Sequence, residues 1–541
     1  MASRFAIVIV ILVLAYGFLF FHLYQLQLVK GGFYLARAQS ESAASAAAGA
    51  NRGSIYFTDK NGNALPAAIN QDFPVVYAVP SAIADPAAAA QSFAPILNIP
   101  ASSLMQAFSG KSSYHLLVNK ASDAMAQAVN NAALKGIYTD YESERYYPLG
   151  TVASQVLGYV GPDPTNGADR GYYGVESFYN SQLAGSGNTN GADITLTIDP
   201  NIQIEAEKIM DDLVAANSAS GGGVMVEDPR TGEILAMAAT PSFDPNNYGS
   251  SPVANFLNPN VQAIYEPGSI MKVLTMSAGI DSGRVAPNET YDDKGYVNVD
   301  KAHITNYNLT THGPYGPGTT MTEIIEHSIN TGAIFVENQT GNATFLDYMK
   351  KFGLDMKTGI DLPGEIAGDL RRLTPSAPQV DWDTAAYGQG AAVTPVELVT
   401  AVGAIANGGV MMRPYLNAAL SPQIIRRVIS TSTAAVVTNM MVSAVDLAGV
   451  ANIDGYALAG KTGSAFIPNP AGGGYLNLLT DSYIGFGPAS NPRFIAFIRL
   501  NGLPTNSLAA ESVVPAFKQL SQFIINYYNI PPDRVNQTTH G

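Results

Sequence analysis

The sequence predicts an α+β protein of several domains: an N-terminal membrane-spanning helix, a mixed, mainly β module, and a larger C-terminal module of sheet and helices. Three observations support this prediction. The chain has 541 residues, which is too long for one hydrophobic core. It opens with an apolar run, Phe5–Phe21. Patterns typical of strands and of helices then alternate along the remainder, with glycine and proline between them.

The apolar run is interpreted as a membrane anchor. It spans Phe5–Phe21, and an amphipathic extension to Val29 brings it to a length that can cross a bilayer. The alternative is a cleaved signal peptide with its cleavage site in the alanine-rich residues 43–50, which lie too far behind the run for the usual arrangement. We therefore expect residues 1–29 to form a cytoplasmic stub and an uncleaved transmembrane anchor, and residues 30–51 to form a linker.

The next module, residues 52–191, is expected to be a mixed, mainly β pedestal. Short strand-like runs such as Val75–Val79 alternate with turn signals such as Asn61-Gly62. Three charged residues at predicted turns are expected to have a structural role, solvated or ion-paired, and not a catalytic one: Arg52, Arg145 and Glu176.

The C-terminal module, residues 192–528, begins with a strand pattern, Ile194–Ile198, and a helix pattern, Asn201–Ala215. After a break at Ser218–Gly223, two β runs flank the glycine turn Asp228–Gly232. This arrangement predicts a β-hairpin.

Later elements of this module predict a layered fold. A helix opens at Pro267–Ser269, and two strands, Ser482–Phe486 and Arg493–Leu500, precede an apolar helix, Val513–Tyr528. We expect that helix to pack on the sheet, so that helices sandwich the sheet and a helical subdomain lies between its strands in the chain. Residues 529–541 are expected to form a C-terminal tail.

The composition argues against several classes of protein. A net charge of −14 argues against a nucleic-acid partner. The chain has no cysteine, and its six histidines show no paired spacing, so no metal site and no cofactor is expected. The G-x-S-x-G pattern of α/β-hydrolases is absent from the sequence as well.

Three short motifs in the second half of the chain point to serine chemistry. They are Ser269-Ile-Met-Lys272, Ser328-Ile-Asn330 and Lys461-Thr-Gly-Ser464. On a helix, a serine and a lysine three residues later lie on one face, so the hydroxyl and the amine can meet. Each motif alone arises by chance in a chain of this length, and its serines are otherwise ordinary cap or turn residues. The ordered set is the informative signal.

The third motif has a competitor, because K-T-G occurs twice. Lys357-Thr-Gly359 lies ahead of a Pro-Gly turn, whereas Lys461-Thr-Gly463 lies between the small residues Gly460 and Ala465. Small residues suit a strand edge that a substrate backbone approaches closely. We therefore interpret Lys461 as the functional lysine and Lys357 as a coincidental match.

With these motifs the chain resembles the class B penicillin-binding proteins, the monofunctional peptidoglycan transpeptidases. The resemblance implies an antiparallel sheet sandwiched by helices, as in serine β-lactamases. Two departures are slight: extra residues precede Asp59, and Ser464 replaces the usual threonine but keeps the hydroxyl. Further segments in the same order support the resemblance: Arg52–Ile55, Asp59–Gly62, Arg145–Pro148, Gly174–Glu176, Leu196–Asp199, Thr231–Leu235, Tyr387–Gly390 and Thr394-Pro395.

The resemblance implies a catalytic role for four residues. Ser269 attacks the carbonyl of a D-Ala-D-Ala peptide bond. Lys272, made neutral by burial beside the cation Lys461, takes the serine proton. Ser328 relays a proton between the lysines and the leaving amine.

The other motif residues are implied to bind the substrate. Asn330 offers its amide to the donor peptide backbone, and the hydroxyls of Thr462 and Ser464 hold the terminal carboxylate. Gly463 lets the substrate backbone approach the strand edge. The backbone N–H groups of Ser269 and Ser464 form the oxyanion hole.

Three other functions compete with this interpretation. A D,D-carboxypeptidase or a β-lactamase shares the acylation chemistry but hands the acyl group to water, and no residue identifies a deacylating base. A penicillin sensor needs further membrane spans or a cytoplasmic effector. A catalytically inactive scaffold is disfavoured because all three motifs are complete.

The resemblance also implies partners and a location. Peptidoglycan stem peptides ending in D-Ala-D-Ala and β-lactams bind the site, and a membrane-embedded SEDS-type polymerase supplies glycan, since no glycosyltransferase module fits ahead of the pedestal. We expect a single-pass protein of the bacterial cell membrane with an extracytoplasmic catalytic domain. The absence of a long pedestal insertion favours division over elongation.

Overall fold

The computed structural model describes residue 16 and residues 51–110, 114–185 and 189–534. The predicted anchor and linker therefore lie outside the described residues, apart from Tyr16 and Asn51, as does the end of the C-terminal tail. Within the described ranges, no helix is both long and apolar enough to cross a membrane.

The N-terminal part of the fold is built on a five-stranded sheet. Its elements are β1 Ile55–Thr58, β2 Ala64–Ala78, α1 Pro86–Leu97, α2 Ala101–Phe108, β3 His115–Val118, α3 Asp123–Ala132, β4 Ile137–Tyr146, α4 Ser154–Leu157, β5 Tyr159–Pro162, β6 Asp169–Tyr172, α5 Gly174–Phe178, α6 Asn180–Leu183 and β7 Ile194–Thr195. The strand order is β3-β2-β1-β7, with β4 paired to β2. Val76 of β2 packs with Phe93, Leu104 and Val129 of α1 to α3 in a separate apolar core.

A buried cluster of opposite charges ties this part together. Glu176 is fully buried, and its two carboxylate oxygens accept from Arg52 Nε and Arg145 Nε, each at 2.7 Å. Tyr147 also donates to Glu176 Oε1, at 3.3 Å. The structural, ion-paired role expected for the three charged residues is confirmed.

The C-terminal part contains a second five-stranded sheet and most of the helices. Its elements are α7 Pro200–Asn217, β8 Gly221–Asp228, β9 Glu233–Thr240, α8 Pro259–Gln262, α9 Met271–Asp281, β10 Thr290–Asp293, β11 Tyr296–Val299, β12 Ala302–Thr305, α10 Leu309–His312, β13 Gly316–Thr320, α11 Met321–Glu326, α12 Asn330–Thr340, α13 Asn342–Lys351, α14 Gln379–Ala385, α15 Pro395–Ala406, β14 Val410–Met412, β15 Ile424–Arg427, α16 Thr431–Ala448, β16 Ala459–Pro468, β17 Tyr475–Gly487, β18 Phe494–Leu503 and α17 Val513–Tyr528. Short 3₁₀ segments occur at Pro80–Ala82, Pro245–Ser250, Val253–Phe256 and Gly268–Ile270.

Helices cover both faces of the C-terminal sheet. The sheet is antiparallel, with the order β16-β17-β18-β8-β9. Side chains alternate along β8: Val224 and Val226 pack with α7 and α17, whereas Met225 belongs to the core on the α9 and α15 side. Strand β16 forms one edge of this sheet and packs against α16 and the 3₁₀ turn Gly268–Ile270.

Several local predictions match the observed elements. The predicted helix Val513–Tyr528 coincides with α17. The predicted helix Asn201–Ala215 is α7, which is longer because Asp199 caps it and Pro200 occupies its first turn. The helix start predicted at Pro267–Ser269 is a 3₁₀ turn that leads into α9.

Two local predictions differ from the structure. The strand predicted at Ile194–Ile198 is shorter in the structure, Ile194–Thr195: the Leu196 N–H still donates to Tyr56 of β1, but the Thr197 N–H donates to Leu416 in a different segment. The break predicted at Ser218–Gly223 is partly wrong, since β8 already begins at Gly221. A Cβ at Gly222 would lie 2.3 Å from the carbonyl oxygen of Arg499, so glycine there allows close contact with the neighbouring strand.

Candidate active site

Ser269 lies in the tight turn that leads into α9. The 3₁₀ turn Gly268–Ile270 continues directly into that helix, so Ser269 and Lys272 are one helical turn apart. Gly268 has a φ of +55°, and a Cβ there would lie 2.5 Å from the carbonyl oxygen of Ser464. Glycine is therefore required for this turn to pack against β16. Ser269 itself is partly exposed beside that strand.

Lys272 points into a buried set of acceptors. Its side chain is 1% exposed, and Nζ donates to Asn330 Oδ1 at 2.8 Å and to Ser328 Oγ at 3.2 Å. Nζ also donates to the Ser328 carbonyl oxygen. The lysine of the first motif thus forms hydrogen bonds with the serine and the asparagine of the second motif.

Lys461 reaches the same serine from the sheet edge. Its side chain is 4% exposed, and Nζ donates to Ser328 Oγ at 3.0 Å and to Thr462 Oγ1 at 3.2 Å. Two buried amines from two distant segments therefore share the hydroxyl oxygen of Ser328.

Burial favours the neutral form of both amines. Desolvation holds the pKa of Lys272 well below its usual value, and the nearby charge of Lys461 lowers it further. Desolvation lowers the pKa of Lys461 to about 7. An amine whose pKa is lowered in this way can accept a proton at neutral pH, which an ordinary lysine cannot.

The second motif is held in an unusual backbone conformation. Ser328 joins α11 to α12 with a φ of +55°, a left-handed conformation that costs a non-glycine residue about 1–3 kcal/mol. Asn330 begins α12, and its Nδ2 donates to the carbonyl oxygen of Thr305 at 3.0 Å. The hairpin of β11 and β12 thereby fixes the amide that Lys272 contacts.

A buried carboxylate is hydrogen-bonded to the residue that follows the second motif. Asp293 is 1% exposed and accepts from Thr331 Oγ1 at 2.6 Å and from Asn306 Nδ2 at 3.1 Å. Asn306 Oδ1 accepts from the Thr331 backbone N–H, also at 3.1 Å. Sequence reasoning missed these three residues because they belong to no motif, and their only signal is that Thr331 directly follows Asn330.

The third motif places alternate residues on opposite faces of β16. Gly463 faces the turn of Ser269: a Cβ at Gly463 would lie 2.5 Å from the carbonyl oxygen of Pro267 and 2.6 Å from Ser482 Oγ. Thr462 and Ser464 belong to the other face of the strand. Ser464 is exposed, and its hydroxyl donates to Asp481 Oδ1 at 2.6 Å. Asp481 was also missed by sequence reasoning.

The competing K-T-G lies outside this group. Lys357 is exposed in a loop, and the next two residues bind a carboxylate: Thr358 Oγ1 donates to Glu365 Oε1 at 2.6 Å, and the Gly359 N–H donates to Glu365 Oε2 at 3.1 Å. Its threonine and glycine are thus already engaged in a local turn.

The arrangement can perform nucleophilic acyl transfer. A partly exposed serine hydroxyl lies one helical turn from an amine whose pKa is lowered, and a second hydroxyl connects that amine to another one. An edge strand with a glycine in its middle runs beside the serine. These are the parts that a serine acyl-enzyme mechanism needs: a nucleophile, a base, a proton relay and a strand edge for a peptide.

Two family models match the chain. Residues 222–522 match the model described as the penicillin binding protein transpeptidase domain, and residues 47–195 match the one described as the penicillin-binding protein dimerisation domain. The first match alone covers more than half of the chain.

Full-length relatives show the same likeness. Stage V sporulation protein D of Bacillus subtilis (strain 168) is 31% identical over 493 residues, which cover 83% of this chain and 74% of the relative. Peptidoglycan D,D-transpeptidase FtsI of Escherichia coli (strain K12) is 27% identical over 563 residues, which cover 98% of this chain and 92% of the relative.

A solved structure shares the fold. Penicillin binding protein 3 from Mycobacterium tuberculosis, complexed with aztreonam, superposes with a TM-score of 0.67 at 24% sequence identity, covering 90% of this chain and 98% of that chain. The resemblance noted from the motifs is thus confirmed along most of the chain. The chain belongs to the class B penicillin-binding proteins, the serine-type peptidoglycan D,D-transpeptidases.

Proposed function

We propose that this chain cross-links peptidoglycan stem peptides through an acyl-enzyme formed on Ser269. The observation that carries the proposal is the pair of buried lysines, Lys272 and Lys461, that share the Ser328 hydroxyl. Burial lowers the pKa of both amines, the charge of Lys461 lowers that of Lys272 further, and a neutral amine beside a serine is a general base.

Acylation uses four residues. Ser269 Oγ attacks the carbonyl carbon of the penultimate D-alanine while Lys272 Nζ accepts the hydroxyl proton. The backbone N–H groups of Ser269 and Ser464 hold the oxyanion. When the tetrahedral intermediate collapses, the C–N bond breaks, Ser328 gives its hydroxyl proton to the leaving nitrogen, and Lys272 passes the proton that it took from Ser269 back to Ser328. The terminal D-alanine departs, and the donor peptide stays as an ester of Ser269.

Transfer completes the cross-link. An amine of a stem peptide on a neighbouring strand attacks the ester carbonyl, the C–O bond to Ser269 breaks, and a new peptide bond forms. The amine loses a proton through Lys272, and Ser269 recovers its own. The site must not activate water for attack on the Ser269 ester before this bulky acceptor amine arrives.

The remaining motif residues would position the donor peptide. Asn330, fixed by Thr305 and Lys272, presents its amide to the peptide backbone. Thr462 and Ser464 place their hydroxyls where the terminal carboxylate enters, and Gly463 keeps the strand close to the Ser269 turn. The site would take β-lactams in the same way, because their strained amide mimics the scissile bond.

Hydrolysis is the alternative outcome. A D,D-carboxypeptidase or a β-lactamase would use the same acylation step and then admit water. Relatives that carry the name peptidoglycan D,D-transpeptidase favour cross-linking over hydrolysis.

We also propose an organisation at the membrane. Residues 1–29 would anchor the chain by a single pass in the bacterial cell membrane, with residues 30–51 as linker, 52–191 as pedestal and 192–528 as the extracytoplasmic catalytic domain. The two matched families describe modules other than a glycan polymerase. We further propose that a membrane-embedded SEDS-type polymerase supplies the glycan strands.

Fluorescent penicillin tests the nucleophile. Full-length chain in detergent should be labelled covalently, and Ser269→Ala should abolish labelling while the thermal melt is unchanged. Labelling that persists in a folded Ser269→Ala variant would show that Ser269 is not the nucleophile.

Decay of the label tests transfer against hydrolysis. After free drug is removed, the acyl-enzyme should persist for many minutes, and cross-linked product should appear when a SEDS-type polymerase supplies glycan. Rapid loss of the label with no cross-linked product would instead establish a β-lactamase.

A further inference from the structure

One buried carboxylate contacts the third motif directly. Asp481 of β17 lies opposite Ser464 of β16 in the antiparallel ladder and is fully buried. Its Oδ1 accepts from Ser464 Oγ at 2.6 Å, and its Oδ2 accepts from Ser507 Oγ at 2.7 Å and from Ser512 Oγ at 3.0 Å. The last two serines lie between β18 and α17, so two hydroxyls hold the carboxylate in place and the third belongs to the motif.

The contact determines where the Ser464 proton points. A carboxylate only accepts hydrogen bonds, so the Ser464 hydroxyl must donate and its proton is directed at Asp481. Thr462 has the opposite arrangement: its oxygen accepts from Lys461 Nζ at 3.2 Å, and its proton is not used by that bond. The two hydroxyls of one motif therefore differ in polarity, one offering oxygen lone pairs to the site and the other a proton.

We propose that Asp481 is a positioning residue of the transpeptidase site: it binds the Ser464 proton, so that Ser464 acts as an acceptor and Thr462 is the hydroxyl that donates to the substrate carboxylate. The proposal rests on the function proposed above, because it presumes that Thr462 and Ser464 face the bound peptide. It also corrects the simpler expectation that both hydroxyls donate to that carboxylate.

The geometry explains why the hydroxyl at this position needs an anchor. Ser464 lies on an exposed part of an edge strand, where a free hydroxyl rotates among three staggered positions. A short bond to a buried carboxylate selects one of them. The backbone of the same residue packs against Gly268 in the turn before α9, so its position also affects the Ser269 turn.

A double-mutant cycle tests the coupling. The second-order rate of acylation by fluorescent penicillin is measured for the full-length chain, for Ser464→Ala, for Asp481→Ala and for the double variant. We expect each single substitution to slow acylation on the order of ten-fold, and the double variant to be no slower than Ser464→Ala. Additive losses, which a merely structural role would produce, overturn the proposal. Ser464→Thr, which keeps a hydroxyl, should restore both the rate and its sensitivity to Asp481→Ala.

A second measurement does not depend on the Asp481 variant folding. Acylation rates are compared for penicillin and for its methyl ester, which lacks the carboxylate charge. Thr462→Val should lose most of the preference for the free acid, whereas Ser464→Ala should keep it. Loss of the preference in Ser464→Ala, with retention in Thr462→Val, overturns the proposal. A labelled Ser269→Ala variant would contradict the proposed function itself, so the two failures are distinguishable.

Discussion

The pedestal and the catalytic site both bury charged side chains, but they do so in opposite ways. In the pedestal, Glu176 lies between Arg52 and Arg145, so each buried charge has a partner of opposite sign. In the site, Lys272 and Lys461 meet only uncharged oxygens among the described residues. Opposite charges offset the cost of burial and give a structural cluster, whereas like charges without a counter-ion give an amine that releases its proton. The lack of a counter-ion within the described part of the chain makes these two amines candidates for proton transfer.

Removing the Lys272 amine should have the largest effect on the acylation rate. Lys272→Met keeps the volume of the side chain but deletes the base, so acylation by fluorescent penicillin should slow on the order of 10³-fold. The melting temperature should change little, because the hydrogen bonds that Nζ loses to Ser328 and Asn330 are offset by the removal of a buried amine that has no counter-ion. A variant that acylates at the native rate would show that Lys272 is not the base.

Removing the negative charge from the pedestal should have the converse effect. Glu176→Gln keeps the shape but leaves two buried guanidinium groups unpaired, which should destabilise the fold by about 3–5 kcal/mol. The melting temperature measures this loss, and the acylation rate of the folded fraction should be unchanged. Replacing all three charged residues together by apolar ones should recover most of the stability. An unchanged melting temperature in Glu176→Gln would show that the pairing of opposite charges around Glu176 does not stabilise the fold.

The pH dependence of acylation should sharpen the comparison. Acylation needs neutral Lys272, so its rate rises with pH as that amine loses its proton. The charge of Lys461 lowers the pKa of Lys272. Lys461→Met should therefore shift the acidic limb of the rate profile to higher pH. A profile that does not move would show that the two amines are not coupled.

The lowered pKa of Lys461 should also make the stability of the fold depend on pH. The pKa of Lys461 is lowered from 10.5 to about 7 in the fold, so between these values the unfolded chain binds more protons than the folded one. Stability should rise with pH across that window. The rise should be smaller in Lys461→Met, as a series of thermal melts at fixed ionic strength would reveal.

The smallest effect is expected at the second K-T-G. Lys357 is exposed, so Lys357→Ala should change the free energy of unfolding by less than about 0.5 kcal/mol and leave acylation unchanged. Lys461→Ala is the matched substitution and should slow acylation on the order of 100-fold. If Lys357→Ala proves the more damaging in a folded protein, the choice between the two motifs is wrong.

Much of the site was predictable because the residues of each motif lie within three positions of one another in the sequence. Ser269 and Lys272 are close through helical periodicity alone, and the small residues around Lys461 distinguished it from Lys357. Asp293 and Asp481 were not predictable in this way. Each acts on a motif from a different strand, and a lone aspartate in a strand carries no local signal of the hydroxyls that it will contact.

The sequence by itself determined the family, the three motifs, the helices and strands at the start and the end of the C-terminal part, and the residue types proposed to do the chemistry. Only the tertiary structure decided that Lys272 and Lys461 share Ser328, that Glu176 neutralises two arginines, and that Asp481 holds the Ser464 proton. The physical reason is that periodicity and turn chemistry act over a few residues. Burial and the pKa shifts that follow from it depend on which distant segments exclude water from one another.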